Sequence, residues 1–336
     1  MVMRGTDRTG LAGPLRRALA ENGWLPSGGD VPAGSPGATG YVVGVDLGGT
    51  KVHAVLYDPV RHRLLDRVER TDPRGGTAVT SQIARMVEEL SRDAPAGEAA
   101  GWPPRVAVGC PGAPDPVTGA VGHAPNIPGW DDMNVAADLE ARLGVRPLMY
   151  NDANLAAWGE HVWQPDGGSD LAFVAVGTGV GLGLVLGGRM YTGSRGLAGE
   201  VADLPLGADP FDPANLVHGP LEQQVSGGGV ERRYQELTGV RRPAPEVLTA
   251  ATGGDAAAAQ VLDELGRLLA LALRAIRAIV DPATFVLGGG IGARPETLAA
   301  TRRWLAVTDG VSPQVRPSTF GPRAAVAGAL AAAALS

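Results

Sequence analysis

The segment Asp46-Leu-Gly48-Gly49-Thr50-Lys51 sets a carboxylate, two bare glycines, a hydroxyl and an ammonium side by side. A turn that only reversed the chain would need no acid and no base. Glycines let backbone N–H groups come close to an anion. Thr50 and Lys51 add a hydroxyl and a charge, and Asp46 can hold a hard divalent cation directly or through water. This is the chemistry of a phosphate cradle with its magnesium, although the segment alone fits a hairpin with a salt bridge equally well. Two further glycine turns follow apolar strands, Gly177-Thr178-Gly179-Val-Gly181 and Gly288-Gly289-Gly290. Nucleotides bind beyond strand ends in α/β sheets, and three such turns favour the phosphate reading. A P-loop is excluded, because Thr50-Lys51 reverses the required Lys-Ser/Thr order and the chain continues as a strand. Gly288–Gly290 matches a loose dinucleotide fingerprint but lies too near the C-terminus for a full mononucleotide fold.

Asn151-Asp152 closes an apolar strand where a helix begins. Alone, an acid there reads as a helix N-cap; the functional alternative is a general base for a sugar hydroxyl, which is a poor nucleophile until its proton has an acceptor. Glu200 and Glu222 follow small or rigid residues, where carboxylates can accept hydrogen bonds from a polyol, but by themselves they read as solvated loop charges. His123, His161 and His218 stand alone, and no His/Cys spacing suggests metal ligands.

The elements that must carry these residues are legible from periodicity. Tyr41–Tyr57 reads as two apolar strands around the first turn, with a third strand near Leu64–Val68. A helix near Thr77–Arg92 buries Val79, Ile83, Val87 and Leu90. Arg105–Gly109 is a buried strand. Asp131 or Asp132 is expected to cap a helix carrying Val135, Leu139 and Leu143, ended by Gly144. Val145–Tyr150 is the next strand. Leu171–Val176 and Leu182–Leu186 flank the second turn, so the second half repeats the plan of the first. Asp255 is expected to cap a long helix through Val261, Leu265, Leu268, Ala272, Ile276 and Ile279. A strand at Thr284–Leu287, a helix near Pro295–Ala306 and an alanine-rich helix from Arg323 close the chain. Strands alternating with helices indicate an α/β fold.

The 336 residues allow two domains of ordinary size, and 44% hydrophobic content supports sizeable cores. A net charge of −6 offers no footprint for nucleic acid, and 4% aromatics offer no base-stacking platform. The single cysteine, Cys110, excludes an intrachain disulfide and a cysteine-rich zinc site. No apolar run is long enough to span a membrane and no signal core is apparent, so the expected location is the cytoplasm. Residues 1–40 read as a flexible tail with a short helix around Leu15–Glu21.

In order, these segments resemble the ROK family of sugar kinases and related repressors. The carrying motifs are Asp46–Lys51, Gly109-Cys-Pro-Gly112, Pro125-Asn-Ile-Pro-Gly-Trp130, Asn151-Asp152-Ala-Asn154, Gly177–Gly181, Ala198-Gly-Glu200 and Leu287–Gly290. The resemblance implies a two-domain actin-like ATPase (ribonuclease H-like) fold with an interdomain cleft. Its expected domains are residues 41–152 with 320–336, and residues 153–319. It implies ATP and magnesium as cofactors, with phosphate held by Gly48, Gly49, Thr50, Lys51, Gly177, Thr178, Gly179, Gly288, Gly289 and Gly290, and magnesium near Asp46. It implies Asp152 as the base, and Asn126, Asn151, Glu200 and Glu222 as ligands of the acceptor. It also suggests a homodimer.

Two departures from the family pattern bear on the acceptor. Family glucokinases follow Ala-Gly-Glu with Ile-Gly-His and then a cysteine-rich zinc loop. Here Asp203 stands where that histidine would be, and Leu206–Glu222 has no cysteine, so no zinc is expected. Proline and asparagine within Ala208–Asn215 are expected to stiffen that loop instead. Asp203 becomes a candidate acceptor ligand and leaves glucose itself open, with C7-cyclitols such as valienone or 2-epi-5-epi-valiolone as alternatives. The expected activity is ATP-dependent phosphorylation of a hexose or hexose-like polyol. Competing readings are a sugar-responsive repressor, for which no helix-turn-helix pattern is visible, a non-catalytic sugar- or nucleotide-binding protein, and a polyphosphate-dependent kinase.

Overall fold

The computed structural model describes residues 12–25, 40–94, 104–115, 118–122, 124, 127–130, 133–163, 169–215, 217–308 and 314–336. In chain order these form α1 (Ala12–Glu21), β1 (Val42–Leu47), β2 (Lys51–Asp58), β3 (Arg63–Arg70), α2 (Gly76–Asp93), β4 (Arg105–Cys110), β5 (Ala113–Pro114), β6 (Val121–Gly122), α3 (Val135–Leu143), β7 (Leu148–Asn151) and α4 (Asp152–Val162). There follow β8 (Leu171–Val176), β9 (Val180–Leu186), β10 (Arg189–Tyr191), α5 (Pro220–Val225), α6 (Gly227–Thr238), α7 (Ala244–Thr252), α8 (Ala256–Val280), β11 (Thr284–Gly288), α9 (Gly289–Gly292), α10 (Pro295–Thr308), β12 (Gln314–Pro317) and α11 (Ala324–Ala334). Among the described residues no helix is long and apolar enough to cross a membrane.

Two five-stranded sheets share one plan, with orders β3-β2-β1-β4-β7 and β10-β9-β8-β11-β12. In each, the first strand pairs antiparallel with the second and parallel with the next strand to arrive, β1 with β4 and β8 with β11. The repetition expected from the two glycine hairpins is therefore a repetition of topology. By contacts the chain divides into two compact units. One holds the described residues within Met1–Gly168 together with Gly187–Ala198 and Arg323–Ser336; the other holds Ser169–Leu186 and Gly199–Pro322. The expected division after 152 falls behind the first residue of α4. In the contact division α4 stays with the first unit, because it packs along α11.

In the first unit β1 is central and buried along almost its whole length. Val43, Val45 and Leu47 join Val79, Ile83, Val87 and Leu90 of α2 and Val135 and Leu139 of α3 in one core. The opposite face is covered by α11, whose alanine-rich sequence is buried on all sides, as a helix enclosed by other elements should be. At the contact of α4 with α11 the backbones nearly touch. A Cβ on Gly159 would lie 2.8 Å from the Gly328 nitrogen, and one on Gly328 would collide with the Leu155 carbonyl oxygen. Residues this small are the condition for α4 to lie where it does.

Some expectations are corrected. The 1–40 segment contains a packed element: α1 buries Leu15, Ala18 and Leu19 completely. Beyond it Trp24 lies under the Arg323 guanidinium, 4.9 Å from the ring centroid. Helix α3 is capped by Asn134, whose side chain accepts from Ala137 N, in place of Asp131 or Asp132, both outside the described residues. Asp255 caps α8 as expected, accepting from Ala258 N at 3.0 Å. Ile279, expected on the buried face of α8, is 79% exposed. Val280, four residues after Ile276, packs against the core in its place.

The α4–α11 contact yields a direct expectation. Gly328→Val forces the two helices apart and destabilises the first unit by about 3 kcal/mol or more. Thermal denaturation checks this; an unchanged midpoint would contradict the role given to the contact.

Candidate active site

Asp46 ends the buried run of β1, in parallel register with Gly109 of β4. Gly109 has no side chain to keep α4 away. A Cβ there would lie 2.8 Å from Leu155 Cδ1 and 3.7 Å from the Asp152 Cα. The first turn of α4 therefore lies over the end of β4, and Asp152 comes to the neighbourhood of Asp46. The cap of α4 is Asn151, whose Oδ1 accepts from Ala153 N at 2.9 Å and from Asn154 N at 3.2 Å. Its Nδ2 donates to the Gly112 carbonyl at 3.0 Å. The N-cap duty that Asp152 suggests when taken alone thus falls to its neighbour. Asp152 occupies the first helical position, where Oδ1 accepts from Ala153 N at 2.7 Å.

Burial raises the Asp152 pKa to about 6, against the pull of backbone N–H groups at the helix start. Asp46 is raised further, to about 7, by burial and then by the charge of Asp152, with Lys51 opposing. Cys110, also buried in this group, has its thiol pushed upward by burial and by both carboxylates, which keeps it a neutral packing residue.

The first glycine turn is held from behind. Gly48 N donates to the Lys51 carbonyl at 2.9 Å and Thr71 N to the Thr50 carbonyl at 3.1 Å. The Thr71 hydroxyl donates to the Gly48 carbonyl at 2.7 Å. Gly49, Thr50 and Lys51 are left exposed. Thr71 carries no motif; its only sequence signal is its place directly after the strand that pairs with β2.

In the second unit two glycine turns meet. Gly227 N donates to the Gly177 carbonyl at 2.8 Å, and a Cβ on Gly177 would lie 3.7 Å from Gly290 N. Thr178 and Gly290 are exposed, whereas Gly288 is buried at the end of β11. Glu222, on the first turn of α5, accepts from Val180 N at 2.9 Å. His218 lies 3.8 Å from its other oxygen, a neighbour that sequence alone left solitary. Burial raises the Glu222 pKa, Val180 N–H and His218 lower it, and Asp203 raises it again. Asp203 lies in a one-turn helix, Val201–Asp203, just after Glu200, and both acids are exposed.

The loop before α5 is tied internally. Asp209 accepts from Phe211 N and Asp212 from Ala214 N, both at 2.9 Å. Asn215 Nδ2 donates to the Asp209 carbonyl at 2.9 Å, and Gln223 Nε2 donates to the Ala214 carbonyl. Asn215, expected to stiffen the loop, supplies one of these ties, and Asp209 and Asp212, which carry no motif, supply two more. Among the described residues no group of three or more His, Cys, Asp or Glu is placed to hold a metal ion. Asn126, expected on the acceptor side, lies outside the described residues.

Two sheets of identical strand order, each opening on a glycine hairpin, with a half-buried acid heading a helix, define an actin-like ATPase fold. The chain belongs to the ROK family, which it matches over residues 42–335. Its fold resembles a ROK hexokinase from Thermus thermophilus, at 32% identity and TM-score 0.71, covering 86% of this chain and 96% of that one. It also resembles a ROK family glucokinase from Streptomyces griseus, solved in complex with glucose and AMPPNP, at 27% identity and TM-score 0.69, covering 87% of this chain and 99% of that one. The bifunctional enzyme NanE/NanK of Brucella melitensis biotype 1 is 30% identical over 297 residues, 87% of this chain and 52% of that enzyme. This chain thus spans about half the length of that curated relative.

The carboxylate pair sets a pH dependence. Both acids bind protons more tightly in the folded protein than in the unfolded chain. Their contribution to stability is full at acid pH and is lost as pH rises through about 6 and about 7. Asp46→Asn removes the repulsion, so the variant gains about 1–2 kcal/mol over the wild type at about pH 8 and loses that advantage near about pH 4. Thermal midpoints measured across this range decide it, and a difference independent of pH would refute the coupling.

Proposed function

We propose that the chain is an ATP-dependent kinase that phosphorylates a hydroxyl of a hexose or hexose-like polyol. The observation that carries this reading is Asp152: a half-buried carboxylate on the first turn of α4, aligned by its neighbour's cap, with a pKa of about 6. Such a group is ionised at neutral pH yet basic enough to accept a proton in the transition state. The likeness to kinases whose names include hexokinase and glucokinase supports it.

In the proposed reaction Asp152 takes the proton of the acceptor hydroxyl as its oxygen bonds to the γ-phosphorus. The bond from that phosphorus to the β–γ bridging oxygen breaks, and ADP leaves. The N–H groups of Gly49, Thr50, Thr178 and Gly179, with the Thr50 hydroxyl, Lys51 and the Gly288–Gly290 turn, are assigned to the phosphates of ATP. Asp46 fits a magnesium-bound role. Burial and the charge of Asp152 raise its proton affinity, and only Lys51 opposes them. Magnesium typically binds through one or two carboxylates plus substrate phosphates. When bound it neutralises charge on the transferring phosphoryl group. Asn151 positions Asp152 through its cap, and exposed Glu200 and Asp203 are assigned to the acceptor's other hydroxyls.

Asp152→Asn is expected to lower kcat by about 1,000-fold while leaving AMPPNP affinity within about twofold. Turnover close to wild type would remove Asp152 as the base. A screen with labelled ATP over hexoses, N-acyl hexosamines and C7-cyclitols, with polyphosphate as a parallel donor, identifies the acceptor and donor. Absence of transfer to every acceptor would refute the kinase reading.

A further inference from the structure

The turn from β1 to β2 places Gly49 and Thr50 between the facing residues Gly48 and Lys51. A hairpin of this length is ordinarily closed by two bonds between its facing residues, one in each direction. Among the described residues one of the two is made: Gly48 N donates to the Lys51 carbonyl at 2.9 Å. The Gly48 carbonyl accepts instead from the Thr71 hydroxyl, at 2.7 Å. The Lys51 N–H is thus not spent on closing the turn. It joins those of Gly49 and Thr50 on a stretch whose residues are all exposed.

The hydroxyl is delivered by a segment fixed on both sides. Thr71 N donates to the Thr50 carbonyl at 3.1 Å. Gln82 of α2 straddles the residue: its Oε1 accepts from Asp72 N at 3.0 Å, and its Nε2 donates to the Arg70 carbonyl at 2.7 Å. Further on, Gly75 leads into α2 at φ +66°, where a Cβ would collide with the Pro128 carbonyl oxygen. Gly76 N donates to that same oxygen at 2.7 Å. Thr71 is therefore held from the helix and from the loop at Pro128, independently of the turn it serves.

We propose that Thr71 is a positioning residue for the phosphate turn: its hydroxyl occupies the Gly48 carbonyl in place of the Lys51 N–H, and so keeps the three successive N–H groups from Gly49 to Lys51 available to one anion. This rests on the assignment of that turn to the phosphates of ATP. Without the hydroxyl the Gly48 carbonyl loses its partner, and the donor that a hairpin of this length offers it is the Lys51 N–H. The turn then closes as an ordinary hairpin, and one donor to phosphate is lost. A serine keeps the hydroxyl, whereas a valine keeps the shape and loses the donor.

The test compares the full chain with its Thr71→Val, Thr71→Ser and Thr71→Ala variants, each checked for folding by circular dichroism. Binding of AMPPNP with magnesium is measured by calorimetry, and hydrogen exchange of the Lys51 amide, without nucleotide, by NMR. Thr71→Val is expected to weaken AMPPNP binding by about tenfold, as for loss of a charge-assisted hydrogen bond. It is also expected to slow Lys51 exchange by about tenfold, because that N–H becomes bonded. Thr71→Ser is expected to stay within about threefold of wild type in both measurements. If Thr71→Val does not fold, Thr71→Ala is expected to show the same pair of changes. Unchanged AMPPNP binding in the folded Val or Ala variant overturns the proposal. So does faster Lys51 exchange, which marks a loosened turn and a threonine needed only for stability, or a failure of serine to keep the binding. A wild-type chain that binds no AMPPNP, with the exchange changes still as expected, overturns the ATP assignment and leaves the hold of Thr71 on the turn standing.

Discussion

The site in the first unit depends on backbones approaching more closely than side chains allow. A Cβ on Gly44 of β1 would lie 2.8 Å from Leu330 N of α11. One on Gly159 would lie equally near Gly328 N, and Gly109 yields to the first turn of α4. These contacts press α11 onto the centre of the sheet and α4 onto α11, and they bring the head of α4 down to the end of β4. The proximity of Asp152 to Asp46 follows from that stack. Interiors are packed tightly enough that extra methyl groups at such a contact cannot be absorbed locally.

That proximity carries an electrostatic cost which the fold partly offsets. Two carboxylates in one half-buried group repel when both are ionised, and burial already disfavours their charges. Lys51 relieves Asp46, and the N–H groups at the start of α4 relieve Asp152, where the helix dipole also favours an anion. The relief is incomplete, and both proton affinities stay high. Perturbed pairs of this kind gather where chemistry is done, because a group needed as a base cannot also be optimally stabilised.

Much of this was legible in the sequence, and what was missed shares one physical character. The hairpins, the α2 face, the Asp255 cap and the alanine-rich final helix rest on local periodicity and composition, and the structure reproduces them. The glycine turns were legible because glycine beside a hydroxyl and an ammonium is rarely needed for turning alone. What sequence could not show depends on which segment arrives next to which. Asn134 and Asn151 act as caps where neighbouring aspartates are equally suited by type, and only the helix start decides between them. Thr71 behind the first turn and His218 beside Glu222 have no motif. Val280 replaces Ile279 on the buried face because the last turn of α8 follows a four-residue step where a three-residue step was assumed. Asn126, expected on the acceptor side, lies outside the described residues.

The two halves share a strand order yet hold their glycine turns by different means. Behind Gly48–Thr50 stands a neutral hydroxyl, Thr71, which donates to a carbonyl and orients the turn without adding charge. Behind Gly177–Gly179 stands a carboxylate, Glu222, which accepts from an N–H. A carboxylate there would repel an anion held on the same turn unless that N–H and its neighbours offset its charge. Burial acts in the same direction, raising the proton affinity of Glu222, while Val180 N–H and His218 keep an ionised form accessible. His218 lies between Ala214 and Gln223, which are tied by the bond from Gln223 Nε2 to the Ala214 carbonyl, so that tie bears on the charge behind the turn. The duplicated topology supplied two equivalent turns, and the residues packed behind them, more than the turns themselves, make the halves chemically distinct.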